Sequence, residues 1–428
     1  MNYKDNLSFK NNNSNNLKIY NSLNKRLEEF KPRNPKEIKM FTCGPSIYRK
    51  PHIGNYRTFI FEDILQRYLE YLGYKVTRLM NFTDIEDKAI DEAKTKGITV
   101  NELTKKIADI FIEDIKLLNI KSPTYIVRST ETIKETIKII EKLLEKGHAY
   151  YFKNDIYFDP TTFKGFGKLY GLDMTKWPEK KKRFKRDNYS NNMWNLGDFI
   201  LWHSCKDETY PCWDASIGRG WPAWNVQDPA IIVHSLGNQV DICCGGIDNR
   251  TMHHDYNIAI MESYSGVEFC PYWLHSHHLF VDGKKMSKRK GNILYVDDLI
   301  NKGYSIAEIR FFLIYSQYRI RMNFTFNKFN RTSSKLKDFL NMVDFIMVKN
   351  NTKESSPKVH KLLDELFMSF EQHMGNDLNV KNAFDSIYSI VQELYILKNE
   401  NKISDRDIDN FSNKLHKIDE VLKIIFVN

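Results

Sequence analysis

No apolar run in this chain reaches the roughly 18 residues that a membrane-crossing helix needs, which argues against a membrane span. The N-terminus, MNYKDNLSFKNNNSNN, lacks the apolar core of a secretory signal and reads as a disordered, Asn-rich tail over 1–16. Cysteine is scarce. The six, at 43, 205, 212, 243, 244 and 270, show no disulfide-framework spacing, so a reduced, cytoplasmic chain is expected. No internal repeat is visible. Low charge is not among the absences: 64 Lys and Arg face 54 Asp and Glu, a balance of +10. That excess fits an anionic partner, nucleic acid first, although a bias toward Lys, Asn and Ile would produce it too.

What is present is enough for a core. Hydrophobic residues make up 42% of 428 positions and aromatics 13%, which excludes a wholly disordered chain and predicts two or three modules. EIKMFTC reads as a buried strand running into the loop GPSIYRKPHIGNYRT. Phe59, Ile60, Ile64, Leu65, Tyr68, Leu69 and Leu72 then recur at helical spacing up to Gly73, and YKVTRLMN reads as a second strand. Strand, Gly-bearing loop, helix, strand opens a parallel α/β nucleotide-binding sheet, whose ligands sit at the carboxyl ends of its strands. Helical patterns continue over 100–118 and 130–146. Residues 149–224 are aromatic and irregular, with the basic run Lys180, Lys181, Lys182, Arg183, Lys185 and Arg186, and read as an insertion. The α/β texture returns near 230. Four amphipathic helices, about 331–349, 357–373, 380–399 and 405–426, close the chain as a bundle.

Two loops carry chemistry. His52-Ile53-Gly54-Asn55 places an imidazole and an amide three residues apart at a helix start, with Gly54 leaving room for a substrate against the backbone. The helix end adds positive potential, so the group suits a polyphosphate. Lys285-Met286-Ser287-Lys288-Arg289, in a Gly-flanked loop, gathers cations able to close on a leaving pyrophosphate. Taken singly, each has an ordinary alternative, a loop histidine and a solvated basic loop.

Together, in this order, the pair resembles the HIGH and KMSKS signatures of class I aminoacyl-tRNA synthetases. FTCGPSIYRKPHIGNYRTFIFEDILQRYL, NFTDIEDKAI, GWPAWNVQDPA, DICCGGIDNRTMHHDYNIA and AEIRFFLIYSQYR narrow the resemblance to cysteinyl-tRNA synthetases, nearly continuously from about 17 to 426. The resemblance implies a Rossmann-like catalytic sheet in two halves, 17–148 and 225–330, split by an insertion over 149–224 and followed by a helical bundle over 331–428. It implies ATP and Mg²⁺ as cofactors, with a small amino acid and tRNA as partners. By the same resemblance His52, Gly54 and Asn55 engage the ATP phosphates, with Asn55 in place of the second His. Lys285 and Lys288 steady the pyrophosphate, Gly246 and Asp248 hold the ribose, and Cys43, Thr83 and Trp224 line the amino-acid pocket.

Two departures keep alternatives open. The family's zinc ligands are Cys, Cys, His and Glu, and the matching positions here are Cys43, Asp228, His253 and Asn257. A neutral amide is a poor zinc ligand. Cys243 and Cys244 are nearby, either as rebuilt ligands or as small apolar filling, so Zn²⁺ is an open question here. Without a metal, a plain pocket separates small side chains by only ~1–3 kcal/mol, and cysteine itself would be in question. Nothing in the sequence aligns with the family's C-terminal anticodon-reading module, so tRNA contact is expected from the catalytic half and the basic insertion. Three functions follow: a cysteine–tRNA ligase, a tRNA-independent ligase passing an activated amino acid to a small amine or carrier, and a non-catalytic paralogue. The retained HIGN, KMSKR and GGxD loops argue against the last.

Overall fold

In the computed structural model, residues 17–174, 197–205 and 211–427 are described. The expected tail over 1–16 and the basic run Lys180–Arg186 lie outside the described residues. A hairpin, β1 (Lys18–Asn21) and β2 (Arg26–Glu29), precedes the first half of an α/β unit. That half runs β3 (Glu37–Thr42), α1 (Ile53–Tyr71), β4 (Lys75–Phe82), α2 (Asp87–Lys96), α3 (Val100–Leu117), β5 (Tyr125–Arg128) and α4 (Ile133–Glu145). An antiparallel sheet follows: β6 (Ala149–Phe152), β7 (Asp155–Phe158), β8 (Phe199–Ser204) and β9 (Gly220–Pro222). The α/β chain then resumes with α5 (Trp224–Ser235), β10 (Ile242–Gly246), α6 (His253–Ser265) and β11 (Tyr272–Ser276). After it come β12 (Leu279–Val281), β13 (Lys284–Lys285), α7 (Val296–Ile300), α8 (Ile306–Ile314) and β14 (Met322–Phe324). Four long helices end the chain, α9 (Phe326–Met347), α10 (Pro357–Met374), α11 (Val380–Asn399) and α12 (Asp405–Leu422).

The central sheet has the order β11-β10-β3-β4-β5, and its strands are parallel. Strands covered on both faces tend to read as unbroken apolar runs; β10 has no charged residue, whereas β4 is largely buried yet carries Arg78 and Asn81 inside it. Side chains alternate across such a strand, so neighbours in β10 serve different cores. Cys244 packs with Ile38, Met40, Leu65 and the helices behind them, whereas Cys243 packs with Phe41, Trp273 and Cys270 under α5 and α6. From β3 the chain runs one way to β4, and after the antiparallel sheet it enters β10 on the other side. The order therefore reverses between β3 and β10, which is where an open α/β sheet leaves a crevice at its carboxyl edge.

Local chemistry explains most boundaries. Thr99 and Glu102 form a reciprocal capping box at the start of α3, and Ser404 and Asp407 do the same for α12. Gly73 and Gly147 follow α1 and α4 at φ +92° and +74°, backbone that a Cβ would strain. No helix among the described residues is long and apolar enough to cross a membrane.

One expectation is corrected. Cys205 and Cys212 are joined by a disulfide, with Cα atoms 6.3 Å apart. Cys205 directly follows β8, and Trp213, next to Cys212, pairs with Gly220 at the start of β9, which sets the two cysteines near each other. A lone pair seven residues apart gives no framework spacing to read. The other four cysteines are free thiols.

Candidate active site

The crevice at the switch point is a cleft of about 690 Å³. Its walls come from the loop after β3, the first turn of α1, the turn after β10, the loop after β11 and the β13 loop. Cys43, His52, Gly54, Asn55, Gly246, Asp248 and Lys285 all line it.

His52 is the N-cap of α1 and Ile53–Asn55 form its first turn, the helix start at which the sequence placed them. Its side chain does not simply project into the cleft. Nδ1 accepts the Asn55 backbone N–H at 3.3 Å, and Asn55 Oδ1 accepts the His52 backbone N–H at 3.0 Å. This reciprocal box fixes the ring: Nδ1 is the acceptor, so the proton sits on Nε2. Burial, aided by the nearby Lys285 charge, holds His52 below the usual histidine range, so it is a neutral Nε2–H donor. Asn55 Nδ2 has no partner among the described residues.

Gly54 lines the cleft and also carries a load that its sequence neighbours do not show. A Cβ there would lie 2.6 Å from the Met286 methyl, so the absent side chain makes room for the methionine of the KMSKR loop. The two signature loops thus touch directly. Lys285 reaches back as well, its Nζ 3.4 Å from His278 Nε2. Lys288 opens a short 3₁₀ turn, Lys288–Lys290, and its side chain lies outside the described residues.

The turn after β10 also depends on missing side chains. A Cβ on Gly245 would meet Asn249 Nδ2 and His254 Cε1, each at 2.9 Å, and one on Gly246 would meet Asp248 Oδ1 at 2.8 Å. Asp248 thereby lies close against the backbone, its carboxylate toward the cleft.

At the other end of the cleft Cys43 joins a second cluster. Its Sγ is 3.5 Å from His253 Nε2 and 4.0 Å from Asp228 Oδ2, and His253 Nε2 pairs with Asp228 Oδ2 at 2.7 Å. Asn257 Nδ2 donates to that same oxygen at 3.3 Å, so the amide supports Asp228, and its Oδ1 is buried and unpaired. Desolvation, then the charges of Asp228, Glu62 and Asp248, push the Cys43 thiol well up. Thiolate, carboxylate and imidazole are all good zinc donors, and these three converge; His254, with a buried unpaired Nε2, lies beside Cys43 and His253. The residues present fit a metal through Cys43, Asp228 and His253. Among the described residues Cys243 is not in the converging donor group. It is buried beside Cys270 in the core under α5 and α6 that Cys43 also borders.

The two remaining pocket residues are placed apart from the cleft walls. The Trp224 ring stands 5.0 Å from that of His253 and covers the donor cluster. Thr83 pairs with Ser46 beside the Cys43 loop, and its hydroxyl accepts from Asn81 at 3.3 Å. The sequence reading missed His277, His278 and Asn249 in the walls. The one local signal for them was the unusual histidine pair before a strand.

Residues 29–334 match the family model described as tRNA synthetases class I (C) catalytic domain. The chain is 36% identical over 416 residues to a cysteine–tRNA ligase of Protochlamydia amoebophila, covering 96% of this chain and 86% of that protein. It is 39% identical over 394 residues to a cysteine–tRNA ligase of Brachyspira hyodysenteriae, covering 91% and 82%. A solved structure of Mycobacterium tuberculosis methionyl-tRNA synthetase in complex with methionyl-adenylate superposes with a TM-score of 0.66 over 91% of this chain and 90% of that one. At 16% identity this last likeness is one of fold.

Proposed function

This chain belongs to the cysteinyl-tRNA synthetase family of class I, and on that premise we propose that it activates cysteine with ATP and transfers it to tRNA. The observation that carries the reading is the 36% identity across 96% of the chain to a cysteine–tRNA ligase. The site supports it, because Cys43 belongs both to the phosphate-sized cleft and to the donor cluster beside it. One substrate can therefore place its side chain at the cluster and its carboxylate toward the nucleotide.

In the first step the cysteine carboxylate attacks the α-phosphorus of ATP in line, the bond to the β-phosphate oxygen breaks, and pyrophosphate leaves. Little covalent work falls to the protein, so positioning and charge stabilisation set the rate. The His52 Nε2–H donates to a phosphate oxygen. Lys285 and Lys288 offset charge as it moves onto pyrophosphate. Asp248 accepts from the ribose hydroxyls across the room that Gly246 leaves. Mg²⁺, when bound, neutralises phosphate charge. Zinc, when bound by Cys43, Asp228 and His253, supplies a cation that favours a thiolate side chain over a hydroxyl or methyl. In the second step a terminal ribose hydroxyl of tRNA attacks the acyl carbon, its proton is lost and AMP leaves. Thr83 and Trp224 border the side-chain end. We further read the working compartment as the cytoplasm, and the module boundaries as 148, 224 and 330.

ATP–pyrophosphate exchange measured with each of the twenty amino acids tests the proposal. Exchange dependent on cysteine, and far weaker with serine and alanine, is expected. Exchange with another amino acid and none with cysteine would overturn it.

A further inference from the structure

Arg57 lies in α1 just past the HIGN turn and is 2% exposed. Among the described residues its guanidinium has no carboxylate partner. Nη1 donates to the carbonyls of His277 at 2.7 Å and His278 at 3.2 Å. Nη2 donates to the carbonyls of Gln317, Tyr318 and Ile320 at 3.2, 3.3 and 2.7 Å, and to the Ser316 hydroxyl at 3.3 Å. A buried cation held by main-chain carbonyls and one hydroxyl is costly, and burial pushes its pKa down to about 10. A side chain needed only for cohesion there would be apolar.

The two segments it grips lead straight into the parts that face the phosphates. His277 and His278 run into β12, which pairs with β13 so that Phe280 faces Lys285. Residues 316–320 run into β14, the other neighbour of β12, with Leu279 facing Met322. The next residue along α1, Thr58, adds a hydroxyl contact to Ser276 at 2.6 Å. We infer that Arg57 is a positioning residue for adenylate formation: its planar fork locks the loops 277–278 and 316–320 to the HIGN helix, so that His278 and Lys285 face His52. The inference rests on the adenylate-forming reading above. Lysine does not replace such a fork, since an ammonium is a point donor without the guanidinium's fixed geometry.

The test pairs two measurements on the full chain. Amide hydrogen exchange over 277–285 needs no substrate, and it should quicken about tenfold or more in Arg57→Lys while the central sheet stays protected. In ATP–pyrophosphate exchange, Arg57→Lys should lower kcat by about tenfold or more and move the KM for ATP by less than about threefold. Lys285→Ala should then cost clearly less in the Arg57→Lys background than in the wild type, because its cation is already misplaced. If Arg57→Lys fails to fold, Arg57→Met, which removes the buried charge, serves in the same cycle. Unaltered amide exchange over 277–285, or strictly additive losses, would overturn the inference. If the wild type shows no cysteine-dependent exchange, the functional reading fails instead, and the amide exchange alone decides for Arg57.

Discussion

Single residues in this molecule bear charges that the hydrophobic pattern conceals. Glu62 lies on the apolar side of α1, fully buried, with both carboxyl oxygens unpaired. Desolvation outweighs the nearby Arg78 and pushes its pKa up to about 8. An acid whose folded pKa is raised stays protonated in the native state while the unfolded chain ionises from about 4.5 upward. Its contribution to stability therefore falls as pH rises from about 4.5 to about 8, by about 1.4 kcal/mol per unit, and levels off above that. Glu62→Gln removes this dependence. Urea unfolding at pH 6 and pH 8 should show the variant gaining about 2 kcal/mol on the wild type between those values. Parallel curves would refute the account of this residue. Asp228 makes a second residue-scale case. It is the carboxylate shared by His253 and Asn257. Protein purified without chelator should carry about one zinc per chain, and Asp228→Asn should lose most of it, as metal analysis reads directly. A metal-free wild type with full cysteine selectivity would show that the donor cluster works without a metal.

Elements were largely legible from the sequence, and the exceptions have physical causes. The segments EIKMFTC and YKVTRLMN are strands, and the helical spacings over 100–118 and 130–146 belong to α3 and α4. Apolar periodicity was enough for these, helped at α4 by Gly147 just past the helix. The start of α1 at HIGN was legible, but its His–Asn capping box was not, because it lacks the usual Ser, Thr or Asp signal. The Gly54–Met286 contact was hidden too, since the two residues are distant in sequence. The fate of Cys243 was open for the reverse reason: two adjacent cysteines on a strand point to opposite faces, and the sequence does not say which face meets the site. The Gly54–Met286 contact yields a prediction for the two loops. Gly54→Ala pushes a methyl group onto the Met286 methyl and the His52 ring. It should lower kcat/KM for pyrophosphate exchange by about 1–2 kcal/mol, the usual scale of modest overpacking, and Met286→Ala in the same chain should recover part of the loss. No recovery would mean that the two loops are not coupled through this contact.

At the scale of the whole molecule, the sheet reversal between β3 and β10 sets Cys43, HIGN and GGxD at one edge, and the chain beyond β11 brings the KMSKR loop over them. Sequence order separates Cys43 and HIGN from GGxD and the KMSKR loop by about 190 residues or more, and the family resemblance rather than any local pattern joined them in advance. The +10 balance is consistent with a polyanionic acceptor but selects none. The acceptor is therefore the central claim still to be put to experiment. Purified protein should be incubated with ATP, Mg²⁺, labelled cysteine and total tRNA, and label should be followed into acid-precipitable, alkali-labile RNA. The account predicts stoichiometric charging of a minor tRNA fraction, dependent on ATP and lost in Lys285→Ala. Formation of cysteinyl-adenylate with no label on tRNA, and its release to a small amine instead, would contradict it.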